Sequence, residues 1–360
     1  MPDPDILNGI HLIYDYQFDA SEKIFKDFVA GSPDRPEGYF YLSMVTWCRL
    51  ASGFWGPDMV KQYVRRVDRT VRVARKRIET IGGDSYDHFY LGGALGFKGR
   101  FELSRGHYLS AFFSAVEAID RLKRCQEMDP DNRDVLLGLG IFDYYTARLS
   151  GVLKFLSYLL IHRGDKEEGL RKLQVAAAEA PYSGTEAKSM LLHIYLFLEA
   201  RYQKALNLCA EMIRRFPHNP RYRFLYGVCH IHLERDQAYR ETVAWLEQKG
   251  RHSASPHDAA LWLNRALYLE AVYDLFNGAY MAARSKLKTI LDRAFPDEDP
   301  SMIAWPLVKI GMSHDLEGER EKALSYYEKI LRMKNGAGAQ FLVKKLLEEP
   351  PAKDDPFIGY

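Results

Sequence analysis

Cysteine is scarce in this chain: Cys48, Cys125, Cys209 and Cys229 are the four among 360 residues. No two lie closer than twenty positions, so there is no CxxC redox pair or zinc-ligand spacing, and a disulfide-stapled scaffold is excluded. Long apolar runs are missing as well, since nothing reaches the roughly 18 consecutive apolar residues of a bilayer-spanning helix. Charge of neither sign is in excess. Fifty Lys plus Arg face 48 Asp plus Glu, a net +2, which offers no bulk attraction for nucleic acid or a membrane surface. Strand-like alternation bounded by hairpin turns is rare. Catalytic signatures are also lacking. There is no HExxH and no GxSxG, and the nearest histidine pair, His230 and His232, stands two apart on different helix faces. Gly92-Gly93-Ala94-Leu95-Gly96-Phe97-Lys98-Gly99 lacks the GK[ST] ending of a phosphate loop and reads as small residues for close helix packing. No catalytic residue, metal or cofactor is expected.

What remains is helical. Apolar residues make up 47% of the chain and recur at three- and four-residue intervals between widely spaced Pro and Gly. One skeleton recurs: a small residue, apolar residues at +4 and +7, and Pro at +12. It appears as Ser21-Phe25-Phe28-Pro33, Ala118-Leu122-Cys125-Pro130, Gly169-Leu173-Ala176-Pro181 and Ala205-Cys209-Met212-Pro217. Ala283 and Ala323 begin two more, and Gly9, Gly140, Gly227 and Gly311 sit at the small position of matching first helices. A small residue is needed where two helices cross closely, and Pro ends the unit because it cannot continue a helix.

This skeleton resembles the tetratricopeptide repeat, a helix–turn–helix unit of about 34 residues. The phase is irregular, with 78 residues from Ala205 to Ala283 and 40 from Ala283 to Ala323. The expected fold is therefore all-α, an α-α superhelix of six to eight degenerate helix pairs, roughly. Residues 1–345 form the expected array, with longer helices over 36–130, an apolar insertion over 147–164, regular repeats over 185–335 and a tail over 346–360. The apolar stretch 151–161 is expected to be an internal plug. Residues 136–200 also resemble the middle of the tetratricopeptide-repeat 39 family, relatives of inclusion-body-clearance proteins, which implies a non-enzymatic repeat protein.

The resemblance implies a non-catalytic scaffold or adaptor whose first helices line a concave groove for a protein or peptide segment. Carried onto this sequence, the groove positions include Met190, Ile194 and Phe197, then Phe224, Val228 and His232. Tyr268, Val272 and Phe276 follow, then Trp305 and Met312. A subtype of the family grips a chaperone's terminal carboxylate with Lys and Asn. Here the corresponding positions in two repeats are Met190, Leu191, Ile194 and Phe224, Leu225, Val228, so that partner is not expected.

An apolar inner face needs a cover, because each buried Phe, Leu or Met contributes about 1.5–3 kcal/mol. The cover is the array closing on itself, a second copy of the chain, or a foreign apolar segment; self-closure is the leading expectation. Pro356-Phe357-Ile358-Gly359-Tyr360 is an apolar ending after the linker Glu348–Asp355. It is expected to be frayed like most chain ends, with docking in a groove as the competing reading.

Other features receive weaker functional readings. Val60–Ile78 is an amphipathic helix with a basic outer face, an anion-patch candidate of Arg65, Arg66, Arg69, Arg72, Arg75 and Lys76. A solvated face balanced by acidic neighbours is the favoured reading. Asp143, Tyr144 and His162 mark the alternative of an enzyme pocket, and a homo-oligomer with a self-filled groove is a third reading. The start Met1-Pro2-Asp3-Pro4-Asp5 has no apolar leader segment, which gives a cytoplasmic expectation, or an exported protein if a leader has been removed.

Overall fold

The computed structural model describes residues 2–52, 57–148, 164–295 and 299–360. These residues form seventeen α-helices and no strand, an all-α fold of the α-solenoid class in which successive helices pack as neighbours. The expected plug over 151–161 and His162 lie outside the described residues. No helix among the described residues is long and apolar enough to cross a membrane.

The chain gathers into two compact units, one of Met1–Arg49 with Asp58–Leu191 and one of Leu50–Pro57 with Leu192–Tyr360. The first unit is built from α1 (Pro4–Tyr14), α2 (Phe18–Gly31), α3 (Pro36–Ala51), α4 (Pro57–Ile81), α5 (Ser85–Ser104) and α6 (Tyr108–Met128), followed by α7 (Val135–Ala147), α8 (Lys166–Glu179) and most of α9 (Gly184–His193). Its core is aromatic: Phe25 stacks on Tyr41, and Phe40, Tyr90, Trp47, Tyr63 and Phe101 continue the cluster. The second unit contains α10 (Tyr202–Arg215), α11 (Pro220–His232), α12 (Asp236–Arg251), α13 (Pro256–Phe276), α14 (Tyr280–Arg293), α15 (Ser301–Leu316), α16 (Arg320–Leu331) and α17 (Ala339–Glu348).

Proline sets many of the boundaries. It occupies the first position of α1, α3, α4, α11 and α13, where its fixed φ suits a helix start and its missing N–H has no partner to lose. At the other end, α2, α6, α8 and α10 stop at Gly31, Met128, Glu179 and Arg215. Each lies two residues before a proline of the sequence skeleton, because the residue preceding Pro is pushed out of the helical region.

Six of the turns share one geometry. A helical segment ends at Tyr14, Ser104, Leu198, His232, Phe276 or Leu316. Two residues later Tyr16, Gly106, Ala200, Glu234, Gly278 or Gly318 takes a φ between 49° and 79°, and the next helix opens two residues after that. In five of the six, the left-handed residue donates its N–H to the carbonyl three back and its successor to the carbonyl five back. Gly278 on Leu275 and Ala279 on Asp274 are one example. This is the Schellman closure, which satisfies carbonyls that a helix end would otherwise orphan. The sixth turn follows a π-helical turn, Ile194–Leu198, and its closing bond from Arg201 to the carbonyl of Tyr195 spans one residue more.

Five residues past each left-handed residue comes the crossing point: Ser21, Ala111, Ala205, Tyr239, Ala283 and Ala323, all buried. For α6 this register puts Ala111 at the crossing next to the turn. Ala118, which carries the sequence skeleton, falls seven residues further along the same helix. α6 has 21 residues where α2, α10 and α14 each have 14, so its distal half repeats the pattern of a shorter helix.

Close approach at these crossings explains the glycines facing them. A Cβ on Gly9 would fall 2.3 Å from the Phe25 ring, and one on Gly311 would fall 2.4 Å from Tyr327. On Gly169 it would meet the backbone nitrogen of Tyr144 at 2.5 Å. Gly92 and Gly99 in α5 lie against Ala118 and Ala111 of α6, so the glycine-rich stretch serves helix packing. Gly96 of the same helix faces open space.

This contrast makes a test. Gly169→Ala should lower stability by about 1–3 kcal/mol, since backbone must move. Gly96→Ala should raise it by about 0.5–1 kcal/mol by removing glycine's extra unfolded-state freedom. Denaturant midpoints measure both, and equal effects would contradict the close crossing of α7 and α8.

Candidate peptide groove

In the second unit, one face is lined by the π-turn, α11, α13 and α15, and residues 356–360 lie on it. Sequence supplies the approach. The Asp355 side chain accepts the Phe357 N–H at 2.8 Å and its carbonyl accepts the Ile358 N–H at 2.9 Å. With Pro356 at the second position, this forms a tight turn of the kind Asp and Pro favour. The frayed ending expected of a chain terminus is therefore corrected: Ile358 is 2% exposed and joins the core cluster of Leu275, Val308 and Met312. Burying the Phe, Ile and Tyr side chains outweighs the ordering of a few residues that the turn already restricts.

Each tail residue has its own seat. Phe357 lies nearly parallel to Phe197, centroids 5.8 Å apart, and to Trp305, 6.1 Å apart. Tyr360 meets Phe197 at 4.2 Å, Trp305 at 5.0 Å edge-on and Phe224 at 6.2 Å edge-on. Such pairs are worth about 0.5–1.5 kcal/mol each beyond area burial. The backbone is held too. Tyr268 donates its hydroxyl to the Tyr360 main-chain oxygen at 2.9 Å, and Lys309 donates its ammonium to the Phe357 carbonyl. Gly359 sits against His232, where an added Cβ would lie 2.4 Å from Nε2. The His232 ring is itself fixed by stacking on Tyr202 at 4.1 Å and 4°.

Two ionisable groups beneath the tail are perturbed. Lys309 is fully buried, and desolvation pulls it from 10.5 down to about 7. Its Nζ also faces the Trp305 and Tyr360 rings at 6.0 and 5.8 Å. Burial, reinforced by the Lys309 charge, pulls His232 from 6.5 down to about 4. Nε2 of His232 is buried with no hydrogen-bond partner, so a proton there would be a buried, unpaired donor.

The structure sorts the sequence-derived groove positions. Phe197, Phe224, Tyr268 and Trp305 touch the tail, and Phe276 and Met312 belong to the cluster that receives Ile358. Ile194, Val228 and Val272 are wholly buried. Met190 belongs to the first unit, where its sulfur accepts from the Tyr145 hydroxyl at 3.7 Å. Lys309 was missed, although a single cation in the apolar stretch Met302–Met312 is a visible signal.

The basic helix α4 is divided in role. Arg66 is drawn in, bonding Glu22 at 2.6 Å, the Thr46 hydroxyl at 2.8 Å and the Leu42 carbonyl at 3.1 Å. Burial pushes Glu22 upward, but bonds from Arg66 and Lys26 outweigh it and hold the carboxyl down at about 2. Arg75 pairs with Glu117 at 2.7 Å and Arg69 covers the Tyr39 ring at 5.4 Å. Arg65, Arg72 and Lys76 face outward. Asp143 is held by Lys172 at 2.5 Å, and Tyr144 is fully buried with Arg148 5.7 Å from its ring centroid. His314, Glu317 and Glu319 bring ligand-type atoms within 4.8 Å. Arg284 pairs with Glu317, while Lys322 and His314 each reach Glu319 at 2.6 Å, so this cluster supplies its own cations.

Compared with known proteins, the chain matches no family model and no curated protein.

The perturbed groups set a pH dependence. Unfolded chains bind a proton on His232 between about pH 4 and 6.5, and on Lys309 between about pH 7 and 10.5, where the folded protein does not. Each of these two groups therefore contributes stability that rises with pH through its window and is lost on acidification. Urea midpoints and hydrogen-exchange protection at residues 356–360 should both increase from pH 5 to pH 9. Lys309→Met should remove the rise above pH 7, and an unchanged slope in that variant would contradict the burial of Lys309.

Proposed function

We propose that this chain is a non-catalytic, tetratricopeptide-like scaffold whose second-unit groove holds an extended protein segment. The observation that carries the reading is the manner in which residues 356–360 occupy the groove. They insert two aromatic rings, offer two main-chain oxygens to side-chain donors, and bury one aliphatic residue, which is how a short linear ligand gains both affinity and register. The groove's donors, Tyr268 and Lys309, address main-chain oxygens and not side chains, so they serve an extended segment whatever its polar groups. An apolar face of four large rings also fits a protein ligand better than a small polar substrate. The proposed partner is a protein or peptide, with nucleic acid disfavoured by the near-zero net charge.

The test uses the full chain with Phe357→Ser and Tyr360→Ser, which strips the anchors from the tail and leaves the lining intact. A random peptide library displayed on phage should yield binders to this variant, enriched in aromatic residues, and Phe224→Ser should weaken them at least ten-fold. A variant with native far-UV and near-UV circular dichroism that selects no peptide would overturn the scaffold reading.

A further inference from the structure

The tail's seats differ in tolerance, and the difference defines a ligand. Phe357 requires a flat ring, since it lies within 16° of parallel to Phe197 and 12° of Trp305. Ile358 enters a closed cluster and requires an aliphatic side chain. Gly359 has no latitude: a Cβ would fall within 2.4–2.9 Å of three atoms of the His232 ring. That ring cannot swing away freely, being stacked face to face on Tyr202 and edge-on to Phe276 at 5.5 Å. Tyr360 is surrounded by three aromatic rings and takes an aromatic side chain.

We propose that the groove selects a segment of the pattern aromatic–aliphatic–glycine–aromatic, with His232 as the residue that enforces glycine, and that residues 356–360 are a resident competitor which the partner segment displaces. This rests on the scaffold reading above and names its ligand. The tail is tethered through the short linker Glu349–Asp355, so its effective concentration at the groove is on the order of millimolar. A partner segment therefore meets a groove that is open only a small fraction of the time, and its apparent affinity is reduced by that fraction. Variants that unseat the tail without altering the lining should uncover the intrinsic affinity.

The probe is a fluorescein-labelled peptide of the sequence DDPFIGY, amidated at its end, titrated by polarisation into the full-length protein. Gly359→Ala in the protein should expel its own tail, seen as faster hydrogen exchange at 356–360, and should bind the probe at least ten-fold more tightly than wild type. A probe with Ala in place of its Gly should bind that variant at least ten-fold more weakly. Adding His232→Ala to Gly359→Ala should let the altered tail return, restoring its protection and suppressing probe binding.

Equal binding of the Gly and Ala probes to the folded Gly359→Ala protein would overturn the role of His232. Wild type binding the probe as tightly as Gly359→Ala would overturn the resident competitor. If phage-selected peptides of another pattern bind while DDPFIGY does not, the ligand rule fails and the scaffold reading stands. If neither binds, both fail. A wild-type dimer that excess DDPFIGY converts to monomer would place a second copy's tail in the groove and overturn displacement within one chain.

Discussion

Two helices joined by only three residues lie side by side only when the chain reverses sharply and their backbones meet at a small side chain. The rest of this structure depends on that constraint. The reversal is supplied by one left-handed residue at a fixed distance from the helix end, and the approach by a small residue five positions later in five of the six turns. Glycine is the natural choice for the first role, yet Tyr16, Ala200 and Glu234 also fill it. The Schellman bonds and the packing of the pair evidently stabilise enough to hold these residues there. Once the pairs form, their first helices present apolar side chains on a common face, and the unit must dispose of that face.

In the second unit the chain disposes of it with its own last residues. The resulting site is unlike an ordinary core, because polar groups are placed among the rings. Lys309 and Tyr268 reach main-chain oxygens of the tail, and these in turn satisfy donors that would be costly to leave bare. The His232 ring closes the seat against Gly359, where an added Cβ would lie 2.4 Å from Nε2. A buried lysine and a buried histidine in adjacent seats make the groove sensitive to protonation as well as to shape. The interior thus combines the burial of a core with main-chain hydrogen bonds to a segment held in cis.

Much of this was legible in the sequence for a physical reason. Helix spacing, proline stops and small crossing residues act over fewer than twenty positions, so they leave a periodic trace. Ser21, Ala205, Ala283 and Ala323 were found in that way. Ala118 was found too, but it sits in the distal half of a longer helix whose crossing residue beside the turn is Ala111. Among the groove positions, Phe197, Phe224, Tyr268 and Trp305 meet the tail, whereas Ile194, Val228 and Val272 are wholly buried.

The amino-acid sequence by itself determined the all-α class, the helix pairs and the apolar character of their inner face, because each follows from local propensity and short-range spacing. Only the tertiary structure decided what covers that face. Phe357 meets Phe197, and Gly359 meets His232, across more than a hundred residues of chain, and no periodicity links positions so far apart. The tail's composition allowed fraying and docking alike. Burial of its rings against helices brought together by folding settled the choice.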